Sequence, residues 1–136
     1  MKNIARTLTA TALTATAVIS LSGCSDIAKP FSDAWAIHYY VDTTDADTGS
    51  ASLTYLGSDK RGADSTERTD IAAQLPWTEH VVITDGQPAE ITATPAANET
   101  LTCRILLDDI KVLAETTGTP GETITCTATP TAEETR

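Results

Sequence analysis

From Trp35 onward the chain alternates apolar and polar side chains with a period of two. Trp35, Ile37, Tyr39 and Val41 share one parity against Ala36, His38, Tyr40 and Asp42. Ala51, Leu53 and Tyr55 do the same against Ser52 and Thr54, and Val81 and Ile83 flank Val82 after Trp77. Ile91 and Ala93 share a parity. Leu101, Cys103, Ile105 and Leu107 alternate with Thr102, Arg104 and Leu106, and Ile124, Cys126 and Ala128 with Thr123, Thr125 and Thr127. Successive side chains of a strand point to opposite faces, so each run predicts a half-buried β-strand. Threonine suits the outward positions, because its β-branch favours extended backbone and its hydroxyl faces water.

Turn chemistry separates these runs: Asp47-Thr48-Gly49, Gly57-Ser58-Asp59, Asp85-Gly86, Ala97-Asn98, Asp108-Asp109, and Gly118 to Gly121. Between Lys60 and Leu75 the charges of Lys60, Arg61, Asp64, Glu67, Arg68 and Asp70 predict an exposed loop with one edge strand near Glu67–Ala72. No amphipathic helix of ordinary length follows residue 24. Ile105 to Glu115 is the nearest rival, but Asp108-Asp109 fits a tight turn between strands, and Lys111 to Glu115 a further strand. About seven short antiparallel strands with alternating faces predict an all-β, two-layer sandwich over residues 35–128.

Cys103 and Cys126 both fall on core-facing parities, and an even pair in an oxidising compartment is expected to form a disulfide. A metal site combining them with His38 or His80 would need a C-x-x-C or a closely spaced Cys/His pair, and neither occurs. The bond constrains topology. In a flat three-stranded meander the strands holding the two cysteines would lie ~9.6 Å apart, beyond the ~4.4–6.8 Å that a disulfide allows between Cα atoms. Either the last strand pairs beside the Cys103 strand, or the two face each other across the sandwich.

The N-terminus carries its own signal. Lys2 and Arg6 precede an apolar run from Leu8 to Leu21, and Leu21-Ser22-Gly23-Cys24 closes it. This arrangement resembles the signal peptide and lipobox of bacterial lipoproteins. It implies removal of residues 1–23 and a diacylglyceryl thioether on Cys24. Residues 24–34 would then be a lipidated tether, and residues 129–136 a polar tail. The apolar run is short against the ~20 residues a membrane span needs. The expected location is the extracytoplasmic face of the cell membrane, held by acyl chains.

Charge sharpens that picture. The whole chain carries 9 basic and 19 acidic side chains, a net −10. Lys2 and Arg6 are the only charges before Cys24, so residues 24–136 keep 7 basic against 19 acidic, a net −12. That sign excludes an electrostatic nucleic-acid binder and an anionic-lipid binder, so lipid must supply the anchor. About 110 residues make one domain. Aromatic residues form only 4 % of the chain, so its core must be aliphatic.

Several segments together resemble the MmpS family, the small accessory proteins of actinobacterial MmpL transporters. They are Ile37-His38-Tyr39-Tyr40-Val41, Ala51-Ser52-Leu53-Thr54-Tyr55, Leu75-Pro76-Trp77-Thr78, Leu101-Thr102-Cys103-Arg104-Ile105, Val112 with Glu115, and Thr125-Cys126. In order and spacing they cover about residues 37–128. The resemblance implies an immunoglobulin-like sandwich with one disulfide, an envelope location, and a role helping an RND-type exporter move lipids or siderophores. The lipobox is a departure, since MmpS proteins keep an uncleaved N-terminal helix.

Enzyme signatures are missing: there is no G-x-S-x-G and no H-E-x-x-H. His38 and His80 fall on the solvent-facing parity and are expected to be ordinary surface histidines. Asp45-Ala46-Asp47-Thr48-Gly49 has the start of a calcium loop without its later glutamate, and reads as a turn. Asp108-Asp109 reads as a hairpin turn. No catalytic residue, metal or cofactor is expected. The expected partner contacts are Tyr40 and its outward neighbour His38, and Trp77, which follows Pro76 and is either a core plug or an exposed anchor. The expected function is that of a non-catalytic, lipid-anchored accessory protein of an MmpL/RND-type transporter. The alternatives are a lipid- or small-molecule-binding lipoprotein and a passive envelope spacer.

Overall fold

The alternating runs become eight strands: β1 (Ala34–Thr43), β2 (Gly49–Gly57), β3 (Thr66–Leu75), β4 (Trp77–Thr84), β5 (Ala89–Pro95), β6 (Leu101–Leu107), β7 (Lys111–Thr117) and β8 (Ile124–Ala128). The computed structural model describes residues 33–132. The expected leader, Cys24, the tether up to residue 32 and residues 133–136 of the tail lie outside the described residues. The strands form two antiparallel four-stranded sheets, ordered β4-β1-β6-β7 and β3-β2-β5-β8. The fold is the predicted two-layer all-β sandwich.

Alternation decides which side chains meet between the sheets. Ile37, Tyr39 and Val41 of β1, Leu53 of β2, Ile83 of β4, Ile91 of β5, and Cys103 and Ile105 of β6 are fully buried there; Ile124 and Cys126 of β8 join them with almost no exposure. Among the described residues Tyr39 is the one fully buried aromatic. Its hydroxyl donates to the Leu56 carbonyl at 2.8 Å and accepts the Glu90 N–H at 3.0 Å. Both groups belong to the opposite sheet, so one phenol ties the layers together. Burial pushes its pKa well above the ordinary tyrosine range.

Two further ties close the sides. Gly57 and Ser58 bring the end of β2 against β4, where Ser58 and Val82 exchange backbone hydrogen bonds of 3.1 and 2.9 Å. A Cβ on Gly57 would lie 2.6 Å from the Val81 side chain, so this close approach requires glycine. Toward the other side, Cys103 of β6 and Cys126 of β8 are disulfide-bonded with Cα atoms 6.1 Å apart. Because β8 pairs with β5 rather than β6, the bond crosses between the sheets. That is the face-to-face arrangement of the two allowed by the sequence.

The segment expected as a loop with a short edge strand is instead mostly strand. β3 runs for 10 residues along β2. Its inward positions Ala73 and Leu75 are buried, while Glu67, Arg68 and Asp70 put charge along an edge that would otherwise invite another strand. The register shifts between Ala51 and Leu53, where β3 advances three residues (Ala73 to Asp70) against two of β2, so β3 itself carries the bulge. Pro76, after a cis peptide bond, separates β3 from β4, itself an edge strand. Asp108 and Asp109 both have positive φ, 51° and 61°, and form the centre of the turn in the three-residue connection, Asp108 to Ile110, that joins β6 to β7. The Ile110 N–H closes it on the Leu107 carbonyl at 3.1 Å.

Candidate functional site

The outer face of the β4-β1-β6-β7 sheet gathers the chemically distinctive side chains. Register puts them in rows. His80, His38, Leu106 and Val112 lie directly opposite one another across the four strands. In the next row stand Thr78, Tyr40, Arg104 and Glu115. Outward parity alone puts these residues on one surface. Strand pairing makes them neighbours, since facing residues come within about 4.5–5.5 Å at Cβ.

The His38 and His80 rings stack, with centroids 4.0 Å apart and planes 17° from parallel. Both turn toward one oxygen of Asp109. His38 Nδ1 lies 2.7 Å from Asp109 Oδ1, and His80 Nε2 lies 3.0 Å from the same atom. Each ring must therefore carry hydrogen on the nitrogen facing the carboxylate, so that both N–H groups donate to it. The hydrogen bond from His80, with the nearby imidazoles, holds the Asp109 carboxyl below the usual aspartate range. His38 Nε2 is buried and has no hydrogen-bond partner among the described residues. The side chains differ in exposure, 19 % for His38 and 64 % for His80.

Beside this cluster the Arg104 guanidinium lies over the Tyr40 ring, 5.6 Å from its centre, and pairs with Glu115. Tyr40 donates its hydroxyl to Asp42 Oδ2 at 3.0 Å, a bond that keeps the phenol protonated above its ordinary range. His38, Tyr40, His80, Arg104, Leu106 and Asp109 line a shallow recess of about 290 Å³.

The sequence-predicted residues divide. Tyr40 and His38 do stand together on the outer face. Trp77 does not join them: it shares the inward parity of Val81 and Ile83, is half-buried at the rim of the core, and packs its ring 5.1 Å from that of Tyr55. Cys103 and Cys126 are spent in the disulfide. Asp45, in the loop with the calcium-like spacing, accepts a hydrogen bond from the Thr100 N–H and braces one turn against another. Asp109 is the residue that turn reasoning undervalued. It does make the hairpin, and the same turn delivers its carboxylate to two histidines 71 and 29 positions away. Only the pairing of β1 with both β4 and β6 reveals that meeting. His38, His80 and Asp109 each offer one donor atom, and these atoms lie within 4.8 Å of one another.

No helix of the described residues is long and apolar enough to cross a membrane. A scan of family models and searches of curated proteins and solved structures match nothing to this chain.

Proposed function

We propose that the chain is a non-catalytic accessory module, anchored by lipid on Cys24 to the outside of the cell membrane, that docks on an RND-type transporter of the MmpL kind and aids export of lipids or siderophores. The reading rests on the MmpS-like segments of the sequence. The observation that carries its docking half is the outer face of the β4-β1-β6-β7 sheet, where Tyr40, Arg104, His38 and Leu106 form one surface. Tyrosine and arginine are the residues that binding hot spots favour, and here each already holds the other in place.

Geometry supports a membrane-proximal placement of that surface. β1 begins at Ala34, ten residues after Cys24, and an extended chain spans at most ~3.3–3.6 Å per residue. The β6–β7 turn lies at the same end of the sheet, since the Asp108 N–H bonds the Ala36 carbonyl at 3.0 Å. An anchor on Cys24 would hold this end within about 35 Å of the bilayer. A ligand pocket between the sheets has less support, because that space is filled by Tyr39, Ile37, Leu53, Ile83, Ile91 and Ile105.

The test is affinity capture of the full chain from gently solubilised membranes, with bound proteins identified by mass spectrometry. An RND-type transporter subunit is expected with the wild type and is lost with Arg104→Glu, a change on the outer face of β6, compared with the wild type at a temperature where circular dichroism shows both chains folded. Capture without such a subunit, or equal capture by both chains, overturns the reading.

A further inference from the structure

We propose that His38, His80 and Asp109 form a surface site for a borderline divalent cation, of which Zn²⁺ is the probe of choice. The inference is independent of the transporter reading, because it uses only the donor set and its geometry.

Three donors converge on one point. His38 Nδ1 and His80 Nε2 both lie within hydrogen-bond distance of Asp109 Oδ1, at 2.7 and 3.0 Å. Such a cluster holds shared hydrogens in the metal-free chain. With a cation present, the same three atoms supply lone pairs instead. Zinc bonds to imidazole nitrogen and carboxylate oxygen are about 2.0–2.2 Å, so tetrahedral ligands stand about 3.3 Å from one another. To admit the ion the Asp109 oxygen retreats by a few tenths of an ångström, and the stacked imidazoles tilt from their near-parallel arrangement so that their in-plane lone pairs meet at one point. The oxygen can do so, because its carboxylate is exposed on the β6–β7 turn.

The ligand types choose the cation. Two imidazoles and one carboxylate suit zinc and its late first-row neighbours, whereas calcium and magnesium require six or more oxygens or an octahedral shell. Three protein ligands leave a tetrahedral ion one open position, the hallmark of a site that exchanges water or a partner's donor. The sheet keeps two of the ligands in place: His38 and His80 face each other in register on β1 and β4, and the backbone fixes their separation. A net charge of −10 raises the local concentration of cations. One feature opposes tight binding. When His38 ligates through Nδ1, its hydrogen moves to Nε2, which is buried without a partner. The site is therefore an exchangeable one rather than a structural zinc centre.

The chain suits a direct test, because it contains only two histidines. Untagged full-length protein carrying Cys24→Ser, which removes the one thiol outside the disulfide, is titrated with Zn²⁺. Calorimetry gives stoichiometry and affinity, and nitrogen-detected NMR follows both imidazoles. One ion per chain is expected, with both rings shifting together. His80→Ala and Asp109→Asn should each weaken binding at least tenfold, since loss of a mere outer-sphere partner already costs about 10–100-fold. Both changes spare the fold: His80 is exposed, and asparagine tolerates the positive φ of position 109. Calcium at the same concentration should leave both rings unmoved. Absence of zinc binding, binding that leaves the imidazole signals unmoved, or unchanged affinity in both variants overturns the proposal.

Discussion

His38 and His80 stand directly opposite each other on β1 and β4 and donate to the same oxygen of Asp109. The turn that closes β6–β7 thereby reaches across β1 to β4, and a hairpin residue becomes the clasp of three strands. Neither histidine is an isolated surface side chain, and that changes what acid does to the molecule.

Asp109 has its carboxyl lowered below the ordinary value of 3.8, first by the hydrogen bond from His80. A carboxyl depressed in the folded state contributes stability that is present above its unfolded value and is lost as pH falls through its folded value. Asp109→Asn should therefore melt below the wild type at neutral pH, and the gap should close as the pH drops below about 4. Thermal unfolding of both chains in metal-free buffer between pH 7 and pH 3 checks this. A gap that widens on acidification would show that the carboxylate is not what the histidines stabilise.

Tyr39 allows a sharper test, because its hydroxyl joins the two sheets. Tyr39→Phe keeps the ring but removes the hydroxyl from the part-buried Leu56 carbonyl and Glu90 N–H, at a total cost of about 1–3 kcal/mol. Denaturant unfolding should show a loss in this range with an unchanged slope. The alkaline limb carries a second signature. Burial raises the Tyr39 pKa above its ordinary value of 10.0, so its stabilisation is whole below pH 10 and is lost as pH rises beyond it. The fall in stability above pH 10 should be shallower in the phenylalanine variant.

These residues also show how far the sequence was legible. The strands, their inward faces and the cysteine pair follow from parity, because a period of two is a local property of the backbone. Tyr39 inward and Tyr40 outward could be read in that way. β3 was half hidden: an edge strand exposed along most of its length has few apolar positions to alternate, so its charges resemble a loop. The cluster on the outer face was hidden for a different reason. Parity assigns His38 and His80 to a surface, but their stacking depends on which strands are neighbours and in what register. Asp109 was legible only as a turn former, since its second role exists only after β6 has paired beside β1. Trp77 was ambiguous because Pro76 resets the register, and parity with Val81 and Ile83 emerges once β4 is known to begin at Trp77.

The disulfide carries a separate prediction. Cys103 and Cys126 close a loop of 23 residues in sequence separation. By constraining the unfolded chain the bond contributes roughly 3 kcal/mol. For a domain of this size that corresponds to a drop in melting temperature on the order of 10–20 °C when it is removed. Replacing both cysteines with alanine avoids leaving an unpaired thiol in the core. A double variant that melts within 3 °C of the wild type would mean that the other cross-sheet ties already restrict the chain.

Trp77→Ala decides how the rim of the sandwich relates to the docking face. The indole is half-buried against Tyr55, which in turn sits edge-on to Tyr39 with ring centres 5.8 Å apart. A fully buried tryptophan loses about 3–5 kcal/mol on truncation to alanine. Half that burial, with the tilted ring contact, gives an expected loss of about 2 kcal/mol. The change sits on the inward parity of β4, away from Tyr40, Arg104 and the histidine pair, so capture of a transporter partner at a temperature where the variant stays folded should be unaffected. Tyr40→Ala should do the reverse. It removes the platform under Arg104 on an outward position, lowering partner capture while moving the melting temperature little. If Trp77→Ala abolishes capture without loss of stability, the indole is itself a contact, and the docking surface extends over the rim of the sheet instead of ending at its outer face.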